Sequence, residues 1–456
     1  MLENFIKYRI FNNLPFTAND GQRQLVDRLS AFLIAHDARK VFVLRGYAGT
    51  GKTSMVAALV RTLTDLSQSC TLMAPTGRAA KVLSHYASKP AFTIHKAIYR
   101  QSNQADEAFT LMPNMHPNTL FIVDEASMIP RHVTNTPFGS GDLLDDLIRH
   151  VYSAPGCAML LIGDSAQLPP VGCDSSPALD EHVLSGFGLN VWCHTLTDVA
   201  RQALNSGILR LATTIRNGET IDLDQLHGLN DVTILEPNLF QEALEHSYYN
   251  EGIENTLIIT RSNKRTNLYN NGVRASILFH DDLLCNSDRL MVCRNNYFFS
   301  KDYEGVPFIA NGDLFELERV RNHREMYGYH FVDASLRGLD YEWSIDTTLL
   351  LECLTQDTPE DGYAIQHELF NRIAEDFPEV KNRKRLKELI YESPYYNALQ
   401  VRYAYAVTCH KAQGGQWQHV FIDPGPNGLN DPRWLYTAVT RAIKHLFILR
   451  PPKTDK

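Results

Sequence analysis

Residues 46–53 constrain this chain more than any other segment. They read Gly-Tyr-Ala-Gly-Thr-Gly-Lys-Thr and match the pattern G-x-x-x-x-G-K-[ST]. The segment follows an apolar run with strand character, Val41–Leu44, and precedes a run with helical character, Ser54–Leu59. In that context the glycines let backbone N–H groups wrap phosphates, and the helix N-terminus adds partial positive charge. We therefore expect a parallel α/β domain with a phosphate-binding loop at the end of a strand.

This loop predicts a site for ATP and Mg²⁺. Backbone groups would surround the phosphates, the Lys52 ammonium would reach the β- and γ-phosphates, and the Thr53 hydroxyl would bind Mg²⁺. The residues of the loop assigned to ATP are Gly46, Ala48, Gly49, Thr50, Gly51, Lys52 and Thr53.

Two later strands end in polar residues that suit the same chemistry. The apolar run Leu120–Val123 leads into Asp124 and Glu125. Downstream of a phosphate-binding loop, Asp124 is predicted to hold Mg²⁺, and Glu125 to orient or deprotonate the attacking water. Another apolar run, Met159–Ile162, leads into a loop in which Asp164 and Gln167 are predicted to sense the γ-phosphate. The consecutive prolines Pro169 and Pro170 would stiffen that loop.

The overall pattern predicts the α/β class. Short apolar, β-branched runs alternate with helical stretches in two clusters, before about residue 195 and after about residue 255, which indicates two domains with parallel sheets. Residues 87–118 break this rhythm and suit a small hairpin insertion. Residues 296–400 carry short alternating strands and suit a small β-barrel inserted into the second domain.

Composition excludes several classes of protein. The formal net charge is −8, so a nucleic-acid path would have to be a local groove rather than a generally basic surface. The 8 cysteines form no C-x-x-C pair, which argues against zinc and against a disulfide framework. No stretch is apolar for long enough to cross a bilayer and no signal segment is visible, so we expect a cytoplasmic protein without a membrane partner.

The order and wording of these segments resemble superfamily 1 helicases, specifically the RecD/Dda-like branch that moves 5′→3′ on single-stranded DNA. Residues 164–172, Asp-Ser-Ala-Gln-Leu-Pro-Pro-Val-Gly, carry wording typical of that branch. The resemblance covers nearly the whole chain and implies two RecA-like P-loop domains with ATP hydrolysed between them. It places the first domain at 1–190 with its hairpin at about 87–118, the second at 191–295 plus 400–456, and an SH3-like barrel at 296–399.

The resemblance adds residues to the nucleotide site. Gln22 lies in a segment like the family's Q motif and would grip the adenine, and a polar helix start is the less favoured alternative. Gln413 and Gly414 lie in a segment like motif V. Arg201 and Arg441 lie in segments whose arginines approach the γ-phosphate, where a cation stabilises developing charge. The implied catalytic set is Lys52, Glu125, Gln167, Arg201 and Arg441.

The resemblance also implies contacts with the DNA backbone. The residues concerned are Pro75, Thr76, Thr93 and His95 in the first domain, and Asn263, Thr408 and His410 in the second. Within the hairpin, Phe109 is the candidate for the tip of the wedge. One departure from the family is Gln416, which stands near the place where many relatives carry a Glu that contacts the ribose.

The most basic run of the chain is Lys381-Asn-Arg-Lys-Arg-Leu-Lys387, inside the expected barrel. A solvated helix face is the favoured interpretation of this run, a contact with DNA phosphates is the alternative, and salt dependence would separate the two. Nearby aromatics, such as Phe298 and Tyr395, suit the packing of a small barrel better than stacking on bases.

The sequence thus predicts a monomeric, ATP-dependent DNA helicase acting on single-stranded and forked DNA, with replication or repair proteins as possible partners. A nucleic-acid-dependent ATPase switch that does not unwind, and an RNA helicase of the same superfamily, stay open as alternatives. A small-molecule kinase would leave the segments around Thr408 and Arg441 unexplained.

Overall fold

A computed structural model of the chain describes residues 2–101, 109–131, 138–198, 206–219, 221, 223–301, 303, 308–339, 343–355, 359–426 and 428–451. The described residues form two compact units. The first unit holds the residues up to Thr233 together with Gln413–Gln416 and Leu429–Ala442. The second holds Ile234–Ala412, Trp417–Gly428 and the residues from Ile443 onwards.

The strands of the first unit are β1 (Lys40–Gly46), β2 (Cys70–Ala74), β3 (Ala91–Thr93), β4 (Tyr99–Gln101), β5 (Phe109–Leu111), β6 (Leu120–Val123), β7 (Ala158–Gly163) and β8 (Asn190–Leu196). Six of them form one sheet in the order β3-β2-β6-β7-β1-β8, and all neighbours in it are parallel. Every residue of β6 and β7 is buried, as expected for central strands covered on both faces.

The helices of the first unit are α1 (Leu2–Asn12), α2 (Asp20–Ile34), α3 (Lys52–Asp65), α4 (Gly77–Ala87), α5 (Ile94–Ile98), α6 (Leu143–Val151), α7 (Glu181–Gly186) and α8 (Gly207–Arg216). Apolar residues of α1, α2 and α3 pack with sheet residues such as Leu44, Ile122 and Leu160 in one core. Burial of these side chains, at roughly 25 cal/mol per Å² of apolar surface, fixes the helices on the sheet and so positions the loops at its edge.

The strands that follow are β9 (Val232–Leu235), β10 (Thr256–Thr260), β11 (Arg289–Val292), β12 (Leu314–Met326), β13 (Tyr329–Gly338), β14 (Ser344–Leu350), β15 (Leu399–Tyr403), β16 (Ala406–Thr408), β17 (Trp417–Ile422) and β18 (Ala442–Leu449). A second sheet has the order β16-β10-β17-β18-β9, with β10 parallel to both of its neighbours. Strands β11 to β15 close into a barrel.

The remaining helices are α9 (Phe240–Glu251), α10 (Asn263–Ser276), α11 (Pro359–Ala374), α12 (Arg383–Tyr391), α13 (Cys409–Ala412) and α14 (Pro432–Val439). Helix α14 belongs to the first unit, where it contacts α8. Helices α11 and α12 lie between β14 and β15 in the chain, and they share a cluster with barrel residues such as Phe331 and Leu350.

The predicted α/β class is confirmed, with two RecA-like parallel sheets and an inserted five-stranded barrel. Strand β8 pairs with β1 from Asn190 to Leu196, so the residues after the expected boundary at 190 continue the first sheet. The first barrel strand, β11, likewise precedes the expected barrel start at 296. None of the helices in the described part of the chain is long and apolar enough to span a bilayer.

The predicted hairpin includes an antiparallel pair, β4 with β5. The suggestion that Phe109 forms its exposed tip is wrong, because Phe109 is only 5% exposed. Its ring centroid lies 4.9 Å from that of Phe138, and the gain from burying two aromatic rings explains why the side chain turns inward. Residues 102–108, which follow β4, lie outside the described residues.

Candidate functional site

The predicted nucleotide residues lie at the carboxyl ends of three neighbouring strands. Strands β6, β7 and β1 are adjacent in the first sheet, with Val123 paired to Leu161 and Arg45 paired to Gly163. The residues that follow these strands therefore meet at one edge. Ligands of open α/β sheets bind at this edge, because the loops there are free of the hydrogen-bond ladder.

The phosphate loop holds its own lysine. The Lys52 ammonium donates to the carbonyl oxygen of Gly46 and, over 2.9 Å, to that of Tyr47. The loop turns into helix α3 at Gly51, whose φ of +85° is costly for any residue with a Cβ. This conformation accounts for the glycine and leaves the α3 amides facing the space where phosphates are expected to bind.

Gln22 braces the phosphate loop from the start of helix α2. Its side-chain amide donates to the carbonyl oxygen of Thr50 over 3.0 Å, and its side-chain oxygen accepts from the N–H of Asn19 over 3.0 Å. The Asn19 side chain in turn accepts from the Gln22 N–H, which completes a capping box. Gln22 thus fixes the loop, and its contact with adenine stays a prediction.

Asp124 and Glu125 follow β6 as the sequence predicts. Burial, reinforced by the Glu125 carboxylate, raises the pKa of Asp124 to about 7. The carboxylate accepts from the Glu125 N–H over 2.8 Å, and no ion pair with Asp124 occurs among the described residues. Glu125 itself has a φ of +51°, a strained conformation of a kind that clusters at active sites.

These groups fit a divalent cation. A carboxylate that is desolvated by burial, together with the Thr53 hydroxyl at the start of helix α3, is the hard oxygen chemistry that Mg²⁺ prefers. The assignment of Thr53 and Asp124 as its ligands stays a prediction.

The loop after β7 is held by helix α14. Leu168 donates its N–H to the Thr437 hydroxyl oxygen over 2.8 Å, and its carbonyl accepts from the Gln413 side-chain amide over 2.8 Å. Immediately before Leu168, Gln167 is 5% exposed, and its side-chain oxygen has no hydrogen-bond partner among the described residues. A buried acceptor without a partner is costly, so this side chain suits the predicted contact with a ligand, which stays a prediction.

Tyr436 contributes a contact that sequence reasoning missed. Its hydroxyl donates to the Asp164 carboxylate over 2.7 Å and accepts the N–H of Ala48 over 2.9 Å. Tyr436 was visible in the sequence as part of the segment that contains Arg441, but the pattern singled out only the arginine. The available signal was its position four residues after Pro432, on a helix whose other residues are largely apolar.

Of the two predicted arginines, the structure describes Arg441 but not Arg201. Arg441 is 3% exposed, and its guanidinium donates to the carbonyl oxygens of Thr437 and Gly415 over 3.0 and 3.2 Å. It also contacts the hydroxyl of Thr440 over 3.1 Å. Arg441 is therefore satisfied by backbone oxygens here, and Arg201 lies outside the described residues.

The DNA candidates of the first unit lie on the same sheet edge as the phosphate loop. Strands β2 and β3 are paired so that Ala74 lies opposite Thr93, and Pro75 and Thr76 follow β2. The Thr76 and Thr93 hydroxyls cap helices α4 and α5 by accepting backbone N–H groups over 3.2 Å. The sequence therefore brings these residues together, with their hydroxyls already engaged at helix starts.

His95 lies in an aromatic setting. Its ring centroid is 4.7 Å from that of Phe138 and 5.9 Å from that of Tyr99. Burial lowers the pKa of His95 to about 4, so the imidazole is neutral at physiological pH. Any contact between His95 and a phosphate would therefore be a hydrogen bond without a full positive charge.

The second unit repeats this arrangement. Strands β10 and β16 are neighbours, with Thr260 opposite Thr408, and both end where α10 and α13 begin. Asn263 is the first residue of α10, and His410 is an exposed residue of α13. The three DNA candidates of this unit, Asn263, Thr408 and His410, thus lie at the carboxyl ends of two adjacent parallel strands.

Asn270 is a second residue that the sequence did not reveal. It is 1% exposed, and its amide donates to the carbonyls of Tyr403 and Ala406 over 2.9 and 3.2 Å. Its oxygen accepts from the N–H groups of Tyr405 and Ala406 over 3.0 and 2.7 Å. This fully used side chain fixes the start of β16 against helix α10.

A group of metal-donor side chains, His280, Cys285 and Asp288, occurs in the described part of the second unit with ligand atoms within 4.8 Å of one another. Its chemistry does not suit a cation. Both Asp288 oxygens bind the Arg274 guanidinium, over 2.9 and 3.0 Å, and the Tyr405 hydroxyl also donates to Asp288. The carboxylate is already neutralised by an arginine.

Two family matches bracket the chain. Residues 17–236 match a family described as an AAA domain, and residues 403–449 match the UvrD-like helicase C-terminal domain. The first match spans the phosphate loop and the strands that end at Asp124 and Asp164. The second spans Gln413 and Arg441.

Individual relatives agree with these matches. The chain is 31% identical over 202 residues to the ATP-dependent RecD2 DNA helicase of Deinococcus radiodurans, covering 44% of this chain and 24% of that protein. It is 26% identical to the ATP-dependent DNA helicase dda of Enterobacteria phage T4, covering 66% of each. It is 22% identical to the uncharacterized protein R530 of Acanthamoeba polyphaga mimivirus, over 94% of this chain and 99% of that one.

Among solved structures, a Pif1 helicase from Bacteroides in complex with ADP-AlF3 and ssDNA is 16% identical, with a TM-score of 0.48 and coverage of 95% of this chain and 92% of that one. The chain spans about a quarter of the RecD2 protein, which is much longer. From the order of its motifs, the family matches and the RecD2 and Dda relatives, the chain resembles the RecD/Dda-like branch of the superfamily 1 helicases.

Proposed function

We propose that this protein hydrolyses ATP to move 5′→3′ along single-stranded DNA and to unwind duplex DNA ahead of it. One observation carries the proposal. In a single sheet, the strands β6, β7 and β1 end in the nucleotide residues, and the adjoining strands β2 and β3 end in the candidate DNA contacts. A change at the phosphates can therefore reach the DNA contacts through one shared sheet edge.

In this mechanism the phosphate loop binds ATP and Lys52 neutralises charge on the transferring phosphoryl group. Thr53 and Asp124 would hold Mg²⁺, which would neutralise phosphate charge as a Lewis acid. Glu125 orients the attacking water and accepts its proton. Gln167, whose buried side-chain oxygen has no hydrogen-bond partner in the described part of the chain, reports on the γ-phosphate site.

Two arginines complete the proposal. Arg441 leaves its backbone carbonyl partners to approach the γ-phosphate, since a charged phosphoryl group is a stronger acceptor than neutral carbonyls. Arg201 supplies a second cation. Gln413 supports the coupling, because its amide binds the carbonyl of Leu168 in the loop that carries Gln167.

Movement requires alternating grip. Pro75, Thr76, Thr93 and His95 would hold the strand in one nucleotide state, and Asn263, Thr408 and His410 in the other. The RecD2 and Dda relatives are named as DNA helicases, which supports DNA as the substrate. Forked DNA as substrate, a monomeric motor, replication or repair partners and a cytoplasmic location stay predictions.

Strand displacement with ATP and Mg²⁺ tests the proposal. Matched duplexes carry a single-stranded tail at either the 5′ or the 3′ end, and Lys52→Ala serves as the hydrolysis-deficient control. We expect unwinding from the 5′ tail and none with the variant. Unwinding from the 3′ tail alone would overturn the direction, and turnover by the Lys52→Ala protein would overturn the site.

The alternatives give different results in the same experiment. DNA-stimulated hydrolysis without strand displacement on any tail would favour an ATPase switch. Preference for an RNA tail over the matching DNA tail would favour an RNA helicase, since only RNA offers the 2′-OH.

A further inference from the structure

Tyr436 connects two parts of the nucleotide site that the proposed mechanism treats separately. We infer that Tyr436 is a positioning residue: its hydroxyl ties the phosphate loop at Ala48 to Asp164, and nucleotide phosphate displaces it from the Ala48 N–H. This inference rests on the proposed function. It adds that the Tyr436 hydroxyl competes with the nucleotide phosphate for the Ala48 N–H.

The direction of both hydrogen bonds is fixed by chemistry. The Ala48 N–H can only donate, and an ionised Asp164 carboxylate can only accept. The hydroxyl between them must therefore accept from Ala48, over 2.9 Å, and donate to Asp164, over 2.7 Å. Tyr436 is 2% exposed and Asp164 1% exposed, so water does not compete for either bond.

Asp164 passes this contact to the loop that carries Gln167. Its second oxygen accepts from the N–H of Ala166 over 2.9 Å, and its carbonyl accepts from the N–H of Gln167 over 3.3 Å. The residue after Tyr436, Thr437, holds Leu168 at the other end of the same loop. Two successive residues of α14 thus fix both ends of the segment that senses the γ-phosphate.

Competition for Ala48 follows from the same geometry. The N–H offers one proton, and here a neutral hydroxyl accepts it. A phosphate oxygen is a charged acceptor and forms a shorter, stronger bond. When phosphate takes the N–H, the hydroxyl keeps only its bond to Asp164, so occupancy of the phosphate loop changes how firmly the Gln167 loop is tied.

The test is Tyr436→Phe, which removes the hydroxyl and keeps the ring. Without its competitor, the Ala48 N–H should bind phosphate more readily, so affinity for fluorescent ADP without DNA should rise roughly two- to tenfold, the effect of about one hydrogen bond. With the Gln167 loop no longer tied, kcat of DNA-stimulated hydrolysis should fall while KM falls as well. A purely structural role would weaken nucleotide binding instead.

Tyr99→Phe is the matched control. The Tyr99 hydroxyl donates to the Asp146 carboxylate over 2.7 Å, both residues are buried, and both lie in the same unit. Among the described residues, neither Tyr99 nor Asp146 forms a hydrogen bond with the phosphate loop. This variant should lose a similar amount of thermal stability and leave ADP affinity unchanged.

Unchanged or weaker ADP binding by a folded Tyr436→Phe protein would overturn the inference. If that variant does not fold, hydrogen exchange in the wild-type protein decides: the Ala48 amide should be protected without nucleotide, and exchange at the rate of an exposed amide overturns the tie. Absence of any ADP binding by the wild-type protein would instead count against the proposed function.

Discussion

The side-chain amide of Gln413 donates to the main-chain carbonyl of Leu168 over 2.8 Å, and the two residues are 6% and 8% exposed. They stand 245 positions apart in the chain. The bond satisfies a buried carbonyl in the loop that carries Gln167. It therefore links the segment that resembles motif V to the loop that is predicted to sense the γ-phosphate.

Removing this amide should cost both stability and coupling. Gln413→Ala leaves the Leu168 carbonyl buried without a partner, which destabilises by about 1–3 kcal/mol. We also expect DNA to stimulate hydrolysis less than in the wild-type protein. The control is Gln68→Ala, because Gln68 makes the same kind of bond at an exposed position, to the carbonyl of Asn118 over 2.7 Å. Equal stability losses in urea denaturation would contradict the prediction.

Gly51 should tolerate no side chain. Its φ is +85°, and a Cβ would lie 2.8 Å from the Gln22 side-chain nitrogen that braces the phosphate loop. Gly51→Ala should lower ATP affinity by at least tenfold, measured by equilibrium titration. Gly188→Ala isolates the backbone cost, since its φ is +72° with nothing within 4 Å. That control should lose about 1 kcal/mol of stability and keep its ATP affinity.

The buried ion pair of Arg274 with Asp288 should dominate the stability of its region. Arg274 is 7% and Asp288 0% exposed, so Arg274→Met leaves a buried carboxylate without its arginine, although the Tyr405 hydroxyl still donates to it. The expected loss is about 3–5 kcal/mol in chemical denaturation. The exposed pair of Arg385 with Glu388, at 3.1 Å, gives the comparison. Arg385→Met should cost less than about 1 kcal/mol, and a similar loss in both variants would refute the argument.

His95 should make the free energy of unfolding depend on pH. Its folded pKa is about 4, below the ordinary value of 6.5, so the unfolded state takes up the proton first. The contribution of the neutral imidazole is complete above pH 6.5 and is lost as the pH falls from there to about 4. Between pH 7.5 and pH 5, the free energy of unfolding should therefore fall by about 1–2 kcal/mol less in His95→Phe than in the wild type. Urea unfolding at the two pH values measures this, and parallel losses would contradict it.

The basic run at the start of α12 should reveal its role through salt. Lys381, Lys384 and Lys387 are exposed, and no ion pair with them occurs in the described structure. If these lysines contact phosphates of single-stranded DNA, changing all three to Gln should make the fall of the log binding constant with log salt concentration less steep. The expected change in slope is about 0.7 for each lost contact. Lys444→Gln, at an exposed cation already paired with Glu251, is the control. An unchanged slope identifies a solvated helix face.

The sequence predicted the elements of the nucleotide site because the relevant patterns are local. A strand, a glycine loop and a helix are contiguous in the chain, and so are an apolar strand and the Asp124-Glu125 pair that ends it. Parallel pairing then brings the strand ends to one edge whatever the loops between them contain. The wrong expectation for Phe109 was of another kind, since whether an aromatic residue points into a core depends on a distant partner, Phe138.

The sequence by itself determined the α/β class, the phosphate loop and the identity of the residues at each strand end, because backbone periodicity and glycine conformation are encoded within a few residues. Only the tertiary structure decided what these residues touch. Tyr436 meets Ala48 and Asp164, and Asn270 holds the start of β16, across separations of 388, 272 and more than 130 residues. Hydrogen bonds of a few ångströms depend on how whole elements pack, and no local pattern records that packing.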